Sequence, residues 1–109
     1  MKVALTRSFK ETVKSRAQRD RKFRVAMLQE ATEAFLRGET DVGKTLLRDY
    51  VNSTVGFEEL GDAVEKSPKS LMRMLSATGN PQAESLFAVI AHLQREEGVQ
   101  VRVLLQRVS

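Results

Sequence analysis

Ser67-Pro68 constrains this chain more than any other dipeptide in it. A serine before a proline is a helix start: the hydroxyl accepts from a free backbone N–H, and proline at the first helical position gives up no hydrogen bond. Just upstream, the apolar spacing of Phe57, Leu60 and Val64 marks another helix, so one must stop near Val64 and the next begin at Pro68. Gly79-Asn80-Pro81 then reads as a turn, ending the second helix by Ser76. Helices this short are not stable alone and must pack on each other. Leu60, Val64, Leu71 and Met74 fall where they can wedge the pair together, and Gly61 falls where only a small residue permits a close crossing.

The flanking sequence also punctuates into helices. Ser8 with Glu11 has capping-box spacing and predicts a first helix over about residues 9–18. Asp20 caps a second, whose Phe23, Met27, Ala31, Ala34 and Phe35 share one face before Gly38 ends it. A third starts at Thr40 or Asp41, buries Val42, Leu46, Leu47, Tyr50 and Val51, and leaves through Asn52-Ser53-Thr54 to Gly56. A sixth, from Gln82 to about Glu97, carries Leu86, Phe87, Val89, Ile90 and Leu93 and stops at Gly98. Residues 99–105 alternate with period two and are rich in valine, which predicts a strand. A lone strand needs a partner for its backbone groups, and a second copy of the chain would supply one through Val99, Val101, Val103 and Leu105. The expected organisation is all-α: a helical extension over residues 1–53, a helix-turn-helix core over 54–98 that also holds the sixth helix, and a terminal strand over 99–109, in one compact domain.

Charge is unevenly spread. Residues 1–24 hold nine Lys/Arg against Glu11 and Asp20, a net of +7, and the remainder is mildly acidic although the whole chain is +4. Such a basic arm suits a polyanionic partner, or is a solvated basic helix. On the second short helix, Ser67, Lys69, Ser70 and Arg73 form the exposed side, and hydroxyls with long cations are the types that read base edges and phosphates. Glu58, Glu59 and Asp62 on the preceding helix, and Glu65-Lys66 at the turn, fit that use less well.

The stretch Val55-Gly56-Phe57-Glu58-Glu59-Leu60, then Ser67-Pro68-Lys69-Ser70-Leu71-Met72-Arg73-Met74-Leu75, then Gly79-Asn80-Pro81, resembles the Xre/lambda-repressor-like helix-turn-helix regulators, and within them the HigA-like antitoxins. Phe9-Lys10-Glu11-Thr12-Val13 and Leu47-Arg48-Asp49-Tyr50-Val51-Asn52 resemble the longer members of that group. The resemblance implies a lambda-repressor-like domain that forms a homodimer on double-stranded operator DNA and represses its own operon. It also implies a RelE-type toxin as protein partner. Base-edge contacts would fall to Ser67, Lys69, Ser70 and Arg73, and backbone contacts to Lys66, Thr78, Asn80 and Gln82. A repressor without a toxin, or a helical protein-interaction module, remains the alternative.

Other chemistries find little footing. The chain has no cysteine and a single histidine, His92, so thiolate metal sites, histidine-rich metal sites and nucleophile–histidine triads are not expected. Glu58-Glu59 and Glu96-Glu97 are adjacent and point to different helix faces, unlike a carboxylate dyad. The six glycines are isolated, with no phosphate loop, and Met27, Met72 and Met74 read as core or interface packing. A non-enzymatic protein without cofactor or metal is expected. No apolar run is long enough for a membrane span or a signal peptide, so the expected location is cytoplasmic.

Overall fold

The computed structural model describes residues 2–109, and side chains for Phe9 and residues 11–109. Among the described residues six helices follow one another: α1 (Lys2–Arg19), α2 (Arg21–Leu36), α3 (Thr40–Ser53), α4 (Gly56–Val64), α5 (Pro68–Met74) and α6 (Ala83–Glu97). The all-α class is therefore as the sequence implies. α1 starts well before residue 9, with the backbone of Ser8 inside the helix. Nothing from Lys2 to Arg7 breaks a helix, so the continuous run overrides the capping-box spacing. The chain then turns at Asp20, which is extended, and its carboxylate accepts from the Phe23 amide at 3.2 Å. Across this break the Arg16 guanidinium lies 4.7 Å from the centre of the Phe23 ring.

α2 and α3 form a helical hairpin over residues 37–39, where Gly38 takes the left-handed conformation at φ +83°. A Cβ on Gly43 would meet the Phe35 ring at 2.9 Å, so this glycine sets how closely the two helices approach. α1 lies against both, α4 packs on α3, and α5 and α6 pack on α4. One core joins them: Leu28 and Ala31 from α2, Leu47 and Val51 from α3, Leu60 from α4, Leu71 and Leu75 from the α5 region, Val89 and Leu93 from α6. Each large aliphatic side chain fully buried there contributes about 1.5–3 kcal/mol.

Two expected core positions lie outside it. Val42 and Phe87 are half exposed or more, because each sits at the edge or outer side of its helix's apolar stripe, and Met72, expected in the core or at an interface, is about half exposed. α3 also runs on through Asn52 and Ser53, whose place in an exit loop is taken by Thr54 and Val55, and Gly56 opens α4 at φ +80°.

The end of α6 is tied to α2 and α3 by one buried carboxylate. Arg24 donates from Nε and Nη2 to the two Glu97 oxygens at 2.9 and 3.1 Å, and the Tyr50 hydroxyl donates to Oε1 at 2.6 Å. Arg24 also donates to the Ala17 carbonyl at 3.0 Å, which brings the end of α1 into the same knot. The Arg24 hydrogen bond holds the Glu97 carboxyl below its ordinary range, against the opposing effect of burial, and Tyr50 adds to the lowering. Burial and the hydrogen bond to Glu97 push the Tyr50 phenol upward.

Residues 99–109 do not form a strand, and no strand occurs among the described residues. Gly98 caps α6 at φ +71°, and the Val99 amide donates to the Gln94 carbonyl and the Val101 amide to Gln94 Oε1. Val99 and Val101 are half-buried, while Val103 and Leu105 are exposed. The physical reason is that alternation supplies faces but no ladder: within one chain this segment has no neighbouring edge to pair with.

Candidate nucleic-acid interface

α4 and α5 meet across residues 65–67, and three features fix the angle between them. Glu65 is left-handed at φ 57°, ψ 47°, the one non-glycine residue with positive φ among those described. The Lys66 amide donates to the Gly61 carbonyl at 3.0 Å, closing the end of α4. A Cβ on Gly61 would stand 2.5 Å from the Lys66 carbonyl oxygen and 3.5 Å from Pro68, so the chain passes directly over this glycine. The turn is thus built in the conformation glycine adopts most readily, but with a glutamate in it. Glu65→Gly is expected to stabilise the fold by about 0.5 kcal/mol, the relief of left-handed strain exceeding the added chain entropy of glycine. Urea denaturation checks this, and a lower midpoint for the variant would show the glutamate to be held by something other than the turn.

Ser67 caps α5 as its spacing predicts: its Oγ accepts from the Ser70 amide at 3.1 Å, with Pro68 at the first helical position. α5 has only seven residues. It buries Leu71, with Leu75 just beyond its end, half-buries Met74, and exposes Lys69, Ser70, Met72 and Arg73. Lys69 and Arg73 are four residues apart and so share a face, with Ser70 beside them. Neither cation, nor Lys66 in the turn, has an ion pair or side-chain hydrogen bond among the described residues. Three long cations are therefore free for an external anion.

Thr78, Asn80 and Gln82 are exposed on the loop from Ser76 to Gln82. That loop is bound to the end of α5: Ser76 Oγ donates to the Arg73 carbonyl at 2.7 Å, and a Cβ on Gly79 would stand 2.1 Å from the same oxygen. The eight residues singled out from sequence thus divide. Lys69, Ser70 and Arg73 are together on α5, Lys66 precedes them, Ser67 spends its acceptor on the cap, and Thr78, Asn80 and Gln82 follow in the attached loop.

Two residues behind this surface carry no such sequence expectation. Lys44 of α3 is buried, and its Nζ donates to the Gly79 carbonyl at 2.8 Å and the Ala77 carbonyl at 3.2 Å. Asp41 lies 3.7 Å away as a largely exposed counter-ion. Arg48, one turn on, donates from Nη1 to the Leu75 carbonyl at 2.9 Å. The available signal is that Lys44, Leu47 and Val51 share a helical face, placing a charge on an apolar stripe.

The acidic residues of α4, Glu58, Glu59 and Asp62, are exposed and unpaired. His92 has a buried Nε2 without a hydrogen-bond partner, 3.5 Å from Glu96 Oε1. Among the described residues no group of three or more His, Asp or Glu is placed to hold a metal. A surface pocket of about 370 Å³ lies beside Gln18, Ser53 and Thr54; of its charged members, Arg24 and Glu97 pair with each other and Glu96 lies 3.5 Å from His92. No helix among the described residues is long and apolar enough to cross a membrane. Compared with family models, curated proteins and solved structures, the chain matches none.

Proposed function

We propose that this chain is a sequence-specific, helix-turn-helix DNA-binding regulator that presents α5 to the major groove of duplex DNA. The supporting observation is the exposed face of α5, where Lys69, Ser70 and Arg73 project without partners from a short helix fixed by its cap and turn. A major groove about 12 Å wide admits one helix, and Arg or Lys donates to guanine while a hydroxyl adapts to either edge. Lys66 and the loop residues Thr78, Asn80 and Gln82 flank α5 and are the candidates for phosphate and sugar contacts. The resemblance to HigA-like antitoxins extends the proposal to a homodimer that represses its own operon and neutralises a RelE-type toxin. The exposed, unpaired Glu58, Glu59 and Asp62 of α4 favour a basic protein partner.

The test is selection of a duplex from a random-sequence pool, followed by affinity measurement in 50 and 200 mM salt. Three cations from each of two protomers neutralise about six phosphates or base acceptors, so affinity is expected to fall about a thousandfold over that range. The mass of the complex in solution reports whether two chains are bound. A chain that selects no duplex, or whose binding ignores salt, is not a DNA regulator.

A further inference from the structure

We infer that Lys44 and Arg48 of α3 are positioning residues for DNA recognition, setting the tilt of α5 by holding its C-terminal end and the loop that follows. The inference rests on the DNA-binding reading above.

Held only by its apolar side, a helix as short as α5 would be poorly oriented. Leu71 and Leu75 fix which face turns inward, but two neighbouring anchors leave the helix free to rock about them. The Ser67 cap and the Gly61 crossing fix its N-terminal end. At the other end, the last carbonyls of a helix carry partial negative charge and lack intrahelical donors. Here α3 meets the carbonyls that come directly after α5: Arg48 reaches that of Leu75, the residue capping the helix, and Lys44 reaches those of Ala77 and Gly79 in the loop. The Gly79 backbone in turn packs so closely on the Arg73 and Met74 carbonyls that no side chain would fit between them, which ties the loop to the last turn of α5.

Lys44 and Arg48 are four residues apart and so act from one face of α3, which belongs to the α2–α3 hairpin. The orientation of α5 is thereby referred to the core of the protein and not only to α4. A buried ammonium is costly unless its partners are fixed, and this cost is met by two carbonyls whose position then determines where Arg73, Thr78 and Asn80 stand. Base-edge contacts depend on that placement far more than phosphate contacts do, because a bidentate bond tolerates little displacement.

Lys44→Met, Arg48→Met and Arg48→Lys separate positioning from direct contact. Affinity is measured for the duplex selected by the parent chain and for a scrambled duplex, each across a salt series, with helix content checked by circular dichroism. Lys44→Met and Arg48→Met are expected to weaken the selected duplex at least about tenfold. The scrambled duplex should change less than about twofold, the salt slope should be unaltered, and Arg48→Lys should recover much of the loss. If Lys44→Met does not fold, Arg48→Met and its lysine counterpart decide. Equal weakening of both duplexes with a salt slope lower by about 1 for each bound protomer means a direct phosphate contact and overturns the inference. Parental affinity for the selected duplex in both methionine variants also overturns it, leaving DNA binding intact. A parent chain that selects no duplex removes the DNA reading and this inference with it.

Discussion

Replacing Lys69 and Arg73 together by alanine is expected to lower affinity for the selected duplex by about a thousandfold and to leave the fold intact. Each side chain, if it reads a base edge or grips a phosphate, contributes about 1 kcal/mol or more. Two residues on each of two protomers give about 4 kcal/mol, and that is about three powers of ten. The fold should not notice, since both side chains are exposed and make no ion pair or hydrogen bond within the chain. Their effects on the helix dipole also oppose each other: Lys69 lies in the first turn of α5, where a cation is unfavourable, and Arg73 in the last, where it is favourable. Thermal unfolding should therefore shift by no more than about 0.5 kcal/mol in equivalent stability. Binding within about threefold of the parent would remove α5 as the recognition element, whatever the rest of the chain does. Glu58→Gln and Glu59→Gln serve as controls, because removing negative charge from α4 should raise affinity slightly if that face is near phosphates at all.

The division of this surface follows how information is stored along the chain. Ser67-Pro68, Asp20, Gly38 and Gly98 act on their own backbone, so the ends they mark are readable from neighbours in sequence, and each ends or starts a helix in the structure. The α5 surface is readable for the same reason: Leu71 and Leu75 face inward, which leaves Lys69, Ser70 and Arg73 outside. Ser8 misleads because the same two residue types at capping-box spacing fit a helix interior when no breaker precedes them. Residues 99–105 mislead for a related reason, since alternation is a property of one segment and a strand is a property of two. The partners of Lys44 and Arg48 are invisible to local rules: Lys44 shows only as a charge on an apolar stripe, the acceptors of both are carbonyls about thirty positions away, and no side-chain pattern encodes a carbonyl. Glu65 shows the opposite case, a residue whose type argues against the conformation it adopts, held there by the Gly61 crossing and the Ser67 cap on either side.

Glu97 poses the same problem of distance, and its removal is the largest expected change in stability. An acidic residue at the last position of α6 is unfavourable by local electrostatics, because the helix end is already negative. It is retained in a buried site by Arg24, Tyr50 and Arg21, which join α2 and α3 to α6. Glu97→Gln keeps the size and loses the charge, leaving the Arg24 guanidinium with one neutral amide oxygen in place of the two-oxygen carboxylate, beside the Ala17 and Gln18 carbonyls. Removing one member of such a pair costs about 3–5 kcal/mol where burial is complete; with Arg24 partly exposed, about 2 kcal/mol is expected at pH 7. The pH dependence carries a definite sign. The Glu97 pKa is lowered from an ordinary 4.5, so its contribution is present above that value and is lost as pH falls through the lower folded value. The gap between parent and variant should hold from neutrality to about pH 5.5 and close below pH 4.5. On the alkaline side the Tyr50 phenol is raised above 10.0, so its neutral form stabilises the fold below that pH and its contribution fades as pH rises beyond it. Burial is the larger cause of that rise and stays in Glu97→Gln, but the variant loses the charged acceptor that adds to it, so it should lose somewhat less stability than the parent above pH 10. Urea denaturation at pH 4, 7 and 10.5 reads all three, and a gap that stays constant from pH 7 to pH 4 would mean that the Glu97 charge does not hold the three helices together.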